Sequence, residues 1–421
     1  MYDLIIIGGG VSGLYLYYRL IHSGMKILLL EKENRLGGRI YEYSDKNITL
    51  QRGASRFNEN HERVIRLLKE FNLIDFRKDK GKIPDTVFIN KGDTSLKKFK
   101  GKTGFYYINK ILKKVETQNL LSSDTLMKHS FYSFASKHLE KDELNFMIKA
   151  TGYSGQLKYM NMYDAYFLFK NGINITSKFY SGYYTKLVEE IQNYIISNGG
   201  HIYLNSHVNK IKYDKDKSCK YAIKLNSNHI IHTKKIVFCI PRNALLNITF
   251  LKPIHDMIAN SVSPKQLCRV YAKFNVNKNK DFLEKLKHTN AKIVINNPLR
   301  HIIPIDIDKG IIMISYTDDI HCDYWNRIKN NKKALKSSIS KYATEIYNIK
   351  VYEPKRVWVF YWKEGVSYWN PGVNSRKVSS AILEPELLEN VYICGESFSL
   401  VQSWVEGALE SCDRCLKTIK D

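Results

Sequence analysis

Gly8, Gly10 and Gly13 stand in the spacing G-x-G-x-x-G, directly after the apolar run Tyr2 to Ile7 and before a stretch of helical length. Glycine there permits a tight turn and lets a pyrophosphate approach the N-terminus of the next helix, where unpaired N–H groups favour negative charge. Glu31 ends a second apolar run, Lys26 to Leu30, about twenty residues on. A carboxylate in that place can accept a hydrogen bond from a ribose hydroxyl, and it disfavours a 2′-phosphate. Each sign is weak alone. Strand, glycine turn, helix, second strand and terminal acid together predict a dinucleotide site on a βαβ unit.

Past Glu31, the run Arg35-Leu36-Gly37-Gly38-Arg39 sets two arginines around a flexible glycine pair, suited to a second approach to phosphate. Near the other end, Gly395-Glu396 follows an apolar run and Trp404-Val405-Glu406-Gly407-Ala408 opens a last helix. In these elements, and in the middle stretch His201 to Pro241, the chain resembles the flavin amine oxidase family. The resemblance implies FAD rather than NAD. It implies Arg39 beside the cofactor, Gly395 and Glu396 approaching the pyrophosphate and ribitol, and the backbone of Val208 against the adenine. It also implies that the helix N-terminus at Val405 faces the pyrimidine edge of the flavin. A helix N-terminus stabilises the negative charge that reduced flavin holds near that edge.

The segment Gln51-Arg52-Gly53-Ala54-Ser55-Arg56-Phe57, followed by His61, resembles the corresponding segment of L-amino acid oxidases within that family. The likeness implies Gly53, Ala54 and Ser55 on the cofactor and Arg56 on the substrate carboxylate, a task for which the planar guanidinium fork is suited. It implies Trp404 as an aromatic wall beside the flavin, excluding water. Two places depart from the family pattern. Where the family has a lysine near flavin N5, aligning Phe274 puts Arg269, which can donate to a water but does not readily deprotonate. Further on, Tyr368 to Gly372 resembles the segment lining the other side of the flavin. Aligning Gly372 puts Glu364 and Gly365 where monoamine oxidases carry the flavin-linking cysteine and a cage tyrosine, so non-covalent FAD is expected, with Tyr368 as a substitute wall.

Hydrophobic patterning supplies the elements that must position these residues. Tyr2 to Ile7 and Lys26 to Leu30 read as buried parallel strands around a helix from Val11 to Ser23. Val64, Leu67, Leu68 and Phe71 mark an amphipathic helix after Arg56. A second α/β block runs from Leu187 to Pro241, and the chain closes with a strand at Val391 to Cys394 and a helix from Trp404 to Lys417. The expected fold is a Rossmann-like FAD-binding α/β domain of the glutathione-reductase type, interleaved with an α+β substrate domain of the amine oxidase type. The expected boundaries are 1–75, 181–264 and 370–421 for the first, 76–180 and 265–369 for the second.

Composition bounds the rest. With 421 residues and 44% hydrophobic content the chain can bury two cores. The formal charge of +25 would attract nucleic acid or other polyanions if clustered, but lysine runs such as 97–102 and 329–333 read as solvated surface. Seven cysteines, an odd number read here as unpaired, outline neither a disulfide framework nor a metal site. An opening strand at Met1 to Gly8 and the lack of a long apolar run give a soluble, intracellular expectation. The expected reaction is oxidation of a C–N bond by hydride transfer to flavin, with dioxygen as acceptor, hydrogen peroxide as product and an L-amino acid as substrate. A polyamine or protein-lysine oxidase, using acids such as Glu143, Asp164 or Glu364, is one alternative. A desaturase of a non-amine substrate and an FAD-retaining binding protein are the others.

Overall fold

Alternation along the first strand sends side chains into two separate cores: Leu4 and Ile6 into one, Ile5 and Ile7 into the other. Ile27–Leu30 does the same and pairs with it in parallel, from Leu4↔Ile27 to Ile7↔Leu30. A strand buried on both faces needs a near-continuous apolar sequence, which both runs have. The protein is described here from a computed structural model covering residues 1–45, 48–74, 86–89, 99, 101–122, 124–172, 178–214, 220–289 and 292–419, with only the backbone of 86–89, 289 and 292.

The chain forms two compact units: Met1–Gly81, Phe179–Pro264 and Val366–Asp421, and Lys82–Lys178 with Lys265–Gly365. The first is built on a seven-stranded sheet in the order His201–Tyr203, Ile27–Leu30, Tyr2–Ile7, Ile230–Phe238, Tyr221–Leu225, Val208–Tyr213, with Val391–Ile393 also pairing on Ile230–Phe238. The pairings of the first four strands and of Val391–Ile393 are parallel, and those of Tyr221–Leu225 antiparallel. Helices Val11–Leu20, Glu62–Glu70, Tyr184–Ser197 and Val405–Ile419 cover one face through Leu14, Leu67, Ile191 and Leu409. Burying each such side chain contributes roughly 1.5–3 kcal/mol.

A six-stranded sheet, belonging to the second unit except for residues 262–264 and 366–369, is ordered Arg356–Trp369, Val262–Lys273, Ile311–Asp318, His301–Asp306, Lys292–Ile295, Thr86–Ile89. Helices Lys280–Thr289, Asp319–Ile328 and Lys332–Tyr347 pack Phe282, Leu286, Trp325 and Ile339 against it.

Several expectations need correction. The first helix stops at Leu20 rather than Ser23, because Ser23 turns back, its N–H and hydroxyl both donating to the Leu20 carbonyl. Residues 366–369, expected with the second domain, cluster with the first unit. There Trp369 is fully buried, with its backbone N–H donating to Gln402 Oε1 (2.8 Å) and its indole to the Ser399 carbonyl (3.0 Å). Four of the described cysteines converge in the first unit, as described below. Among the lysine runs, Lys97, Lys98 and Lys100 lie outside the described residues, while Lys329, Lys332 and Lys333 are exposed. Among the described residues no helix is long and apolar enough to cross a membrane, and no group of three or more His, Cys, Asp or Glu is placed to hold a metal ion.

Candidate functional site

The glycine turn of the first unit is built by close approach. A Cβ on Gly13 would lie 2.0 Å from the Gly8 carbonyl oxygen, so only glycine lets the helix start so near the strand. Gly8 itself has φ +113°, and a Cβ on it would meet the Cys239 carbonyl at 2.6 Å. Gly10 differs. Among the described residues the only atom within 4 Å of a Cβ there is the Gly38 Cα, at 4.0 Å, so this position opens outward at the helix N-terminus. Glu31, almost fully buried, accepts from the N–H of Gly9 (2.7 Å) and of Glu33 (2.9 Å), which ties the turn to the end of the second strand. Each carboxylate oxygen keeps a second lone pair for a ligand hydroxyl. The segment before Val208 is held at the same strand end, with the N–H of Asn205 donating to the Glu33 carbonyl and that of Ser206 to the Glu31 carbonyl.

A second glycine turn sits against the first. Gly37 and Gly38 have φ of +97° and +56°, the Gly37 N–H donates to the Gly9 carbonyl at 2.8 Å, and a Cβ on Gly38 would lie 3.2 Å from Gly10 Cα. Arg35 closes this turn by donating to the Leu36 and Gly38 carbonyls, with its guanidinium 3.8 Å from the Tyr41 ring centre; Arg52 lies 4.1 Å from the same ring centre. The Ala54 N–H donates to the Arg39 carbonyl, fixing Gly53, Ala54 and Ser55 alongside.

Arg39 and Glu396 form a salt bridge of 2.8 Å. The Glu396 carboxylate also accepts from the N–H groups of Ser403 (2.8 Å) and Ser367 (3.1 Å). One buried carboxylate thus joins four segments: the glycine-arginine turn, Ser367, its own Gly395 turn, and the loop leading into the last helix. Gly395 has φ +136°, and among the described residues a Cβ there would meet only Ser12 Oγ, at 3.7 Å.

Arg56 begins a short strand, Arg56–Asn58, that pairs antiparallel with Phe179–Ser181. Directly opposed residues share a face, so Arg56, Asn58, Phe179 and Ser181 lie on one side and Phe57 stacks on Tyr180 on the other. Phe179 packs against Trp404, with ring centres 5.9 Å apart, so Arg56 and Trp404 belong to one neighbourhood. The Arg56 guanidinium is half-buried and, among the described residues, has no hydrogen-bond or ion-pair partner. Trp404 also meets His61 edge-on, with ring centres 4.7 Å apart. Burial pushes the His61 pKa down to about 3, which keeps the ring neutral.

His61 does not cap the helix Glu62–Glu70 with its side chain. Glu406, from the first turn of the last helix, does so: it accepts from the N–H of Arg63 (3.2 Å) and Val64 (3.0 Å) and pairs with the Arg63 guanidinium. Burial raises the Glu406 pKa, while these donors oppose the rise. A residue 342 positions away thereby anchors the segment that carries Arg56. Sequence reading missed both this cap and the Glu396 hub. Their only local signal is acids beside the C-terminal motif, with nothing to name their distant partners.

Arg269 lies in the second unit, on the strand Val262–Lys273, opposite Tyr316. It is buried with its guanidinium 4.8 Å from the Tyr316 ring centre. Burial opposes its charge, but Tyr271 and Tyr316 outweigh that and raise its pKa, so it stays a cation. His301 and Tyr153 continue this aromatic cluster, with ring centres 4.4 Å apart. Of the acids set against a polyamine, Glu143 completes a capping box and pairs with Lys110 at 3.1 Å, and Asp164 is hydrogen-bonded to Asn161.

These features fit FAD. Gly10 and Gly395 present open backbone at the two turns, and near the last helix the buried Ser403 Oγ, Trp404 Nε1 and His61 Nε2 have no partner among the described residues. Buried polar atoms normally find partners, so such a group marks a place where a ligand completes the site.

The family profile described as flavin containing amine oxidoreductase matches residues 11–415. Aplysianin-A from Aplysia kurodai is 21% identical over 99% of this chain and 89% of its own length. The flavin-containing amine oxidase B of Rattus norvegicus is 34% identical over a shorter stretch, 18% of this chain and 15% of that protein. Among solved structures, wild-type putrescine oxidase bound to putrescine superposes with a TM-score of 0.77 over 99% of this chain and 98% of that one, at 14% identity.

Proposed function

Because the chain belongs to the family of flavin-containing amine oxidoreductases and is an FAD-dependent amine oxidoreductase, we propose that it oxidises L-amino acids, with Arg56 holding the substrate carboxylate. The observation that carries this reading is the unpartnered, half-buried Arg56 guanidinium on the same ribbon face as Phe179, which packs on Trp404.

In this reading the first unit holds FAD non-covalently. Gly8, Gly10 and Gly13 admit the pyrophosphate to the helix N-terminus, Glu31 accepts from a ribose hydroxyl, and the backbone near Val208 meets the adenine. Gly53, Ala54, Ser55, Gly395 and Val405 line the cofactor with backbone, while Arg39 and Glu396 hold their turns together. The chemistry supplied by bound FAD is hydride acceptance at N5 from the carbon bearing the amine, with dioxygen taking the electrons onward to hydrogen peroxide.

Arg56 binds the carboxylate bidentately and so orients the Cα–H. Trp404 forms an apolar wall that keeps water from the reacting carbon. Arg269, a cation beside Tyr316 and Tyr271, takes up no proton. Water hydrolyses the released imine to a 2-oxo acid and ammonia.

The test compares peroxide formation from an L-amino acid with that from the amine lacking its carboxylate. The amino acid is expected to be the better substrate by kcat/KM, and Arg56→Gln to reduce that advantage about 100-fold, the value of a charge-assisted pair. If the simple amine is preferred by the unaltered protein, the assignment of Arg56 fails.

A further inference from the structure

Four cysteines from three segments of the chain meet beneath the glycine turn. Cys239 and Cys394 follow the last paired residues of two parallel strands, Phe238↔Ile393, and the Cys394 N–H donates to the Phe238 carbonyl at 3.0 Å. Their sulfurs are 3.4 Å apart. Cys412 Sγ lies 3.6 Å from Cys394 Sγ and directs its own S–H at the Ser12 carbonyl (3.4 Å), and Cys415 stands one turn further along the last helix. All six described cysteines are reduced, and of these four only Cys239 is not fully buried.

We propose that Cys239 and Cys394 form a peroxide-sensitive dithiol that closes to a disulfide directly under the pyrophosphate turn. Neighbouring parallel strands run about 4.8 Å apart, inside the range of Cα separations that a disulfide spans, so closure from 3.4 Å to a bond of ~2.05 Å is a matter of side-chain rotation. The cross-strand register supplies this pair. The other sulfurs reach Cys394 from a helix instead.

The chemistry balances with hydrogen peroxide as the oxidant. The Cys239 sulfur attacks one peroxide oxygen, an S–O bond forms, the O–O bond breaks and one water leaves with the thiol proton. The Cys394 sulfur then attacks Cys239, the S–S bond forms, the S–O bond breaks, and a second water leaves with the second thiol proton. Two electrons pass from the thiols to one peroxide. Access favours Cys239 as the first sulfur. Contact with Cys394, and then burial, raise the Cys239 thiol well above the usual range, so access and not acidity makes it the first sulfur. The neighbouring thiols, Cys239 foremost, lower that of Cys394, which suits it to the second step. The carbonyl of Cys239 crowds Gly8, so the pair lies beside the glycine turn.

The test uses reduced, FAD-loaded enzyme and added hydrogen peroxide without any amine, so it does not depend on the identity of the substrate. After removal of peroxide and denaturation, titratable thiols should fall by two per chain, and non-reducing peptide mapping should recover residues 239 and 394 joined. Dithiothreitol should restore both thiols. Cys239→Ser should abolish the loss of the pair and Cys415→Ser should retain it. If Cys239→Ser does not bind FAD, the map of the unaltered holoenzyme decides alone. No thiol loss, a bridge joining Cys394 to Cys412 or Cys415 or any bridge to Cys219, or sulfinic acid at Cys239 in place of a bridge, would overturn the proposal.

Discussion

Arg56 and Gly13 illustrate two ways in which one residue constrains this protein. Gly13 is required sterically: a methyl there would stand 2.0 Å from the Gly8 oxygen. Gly13→Ala is therefore expected to purify with less than a tenth of the FAD absorbance of the unaltered protein, or to be insoluble, and near-normal flavin content would contradict this. The glycine turn was legible in the sequence because its logic is local, three residues (Gly8, Gly9 and Gly10) between one strand and one helix. Arg56 was legible only through the motif around it. Its partner across the ribbon, Ser181, and the Phe179 contact with Trp404 come from a segment more than 120 positions away. Glu396 shows the limit of such reading. Its side chain is committed to Arg39, Ser367 and Ser403, so the acid expected to approach the cofactor works largely as a brace.

Helix Glu62–Glu70 has the amphipathic pattern expected of it, with Val64, Leu67 and Leu68 buried, yet its start is stabilised from outside. Glu406→Ala removes the acceptor of two backbone N–H groups and leaves Arg63 without its buried partner. Because Arg63 is about one-third exposed and still pairs with Asp413, losing the cap and this ion pair costs ~1–2 kcal/mol, which chemical denaturation should register. A change under 0.5 kcal/mol would mean that the cap contributes nothing. His61, at the same helix start, has a lower proton affinity folded than unfolded. Between about pH 6.5 and 3 the unfolded chain binds the extra proton, so stability is full above that window and falls as pH drops through it, by up to ~1.4 kcal/mol per unit. Denaturation at pH 7, 6 and 5 should show a shallower fall for His61→Gln. Equal slopes would place the ring in water rather than against Trp404. Neither contact follows from periodicity, which reports which face of a helix is buried and not what meets its end.

Across the whole molecule, the first unit is assembled from three separated stretches and the second from two. The fold class was readable because both ends and the middle of the chain carry strand, turn and helix signals of one kind. The helix Gly104–Thr117 was overlooked although Tyr107, Ile108, Ile111, Leu112 and Val115 fall at helical spacing, while Thr125–Lys128, Gly155–Tyr159 and Met162–Phe167 are too short to show a period. A cofactor that bridges the Gly8, Gly38 and Gly395 turns binds only the folded first unit. FAD at a hundredfold over its Kd should therefore add about 2.7 kcal/mol to unfolding free energy, and no dependence of stability on FAD would contradict the site. The central claim is that this flavoprotein takes its electrons from an amino acid held by Arg56. It is tested most directly by mixing the FAD-loaded protein anaerobically with an L-amino acid, or with the amine lacking its carboxylate, and following loss of the oxidised-flavin absorbance. The account predicts rapid bleaching by the amino acid, slow bleaching by the amine, and about 100-fold slower bleaching by the amino acid at subsaturating concentration in Arg56→Gln. Faster reduction by the amine, or an Arg56→Gln protein reduced as fast as the original, would contradict it.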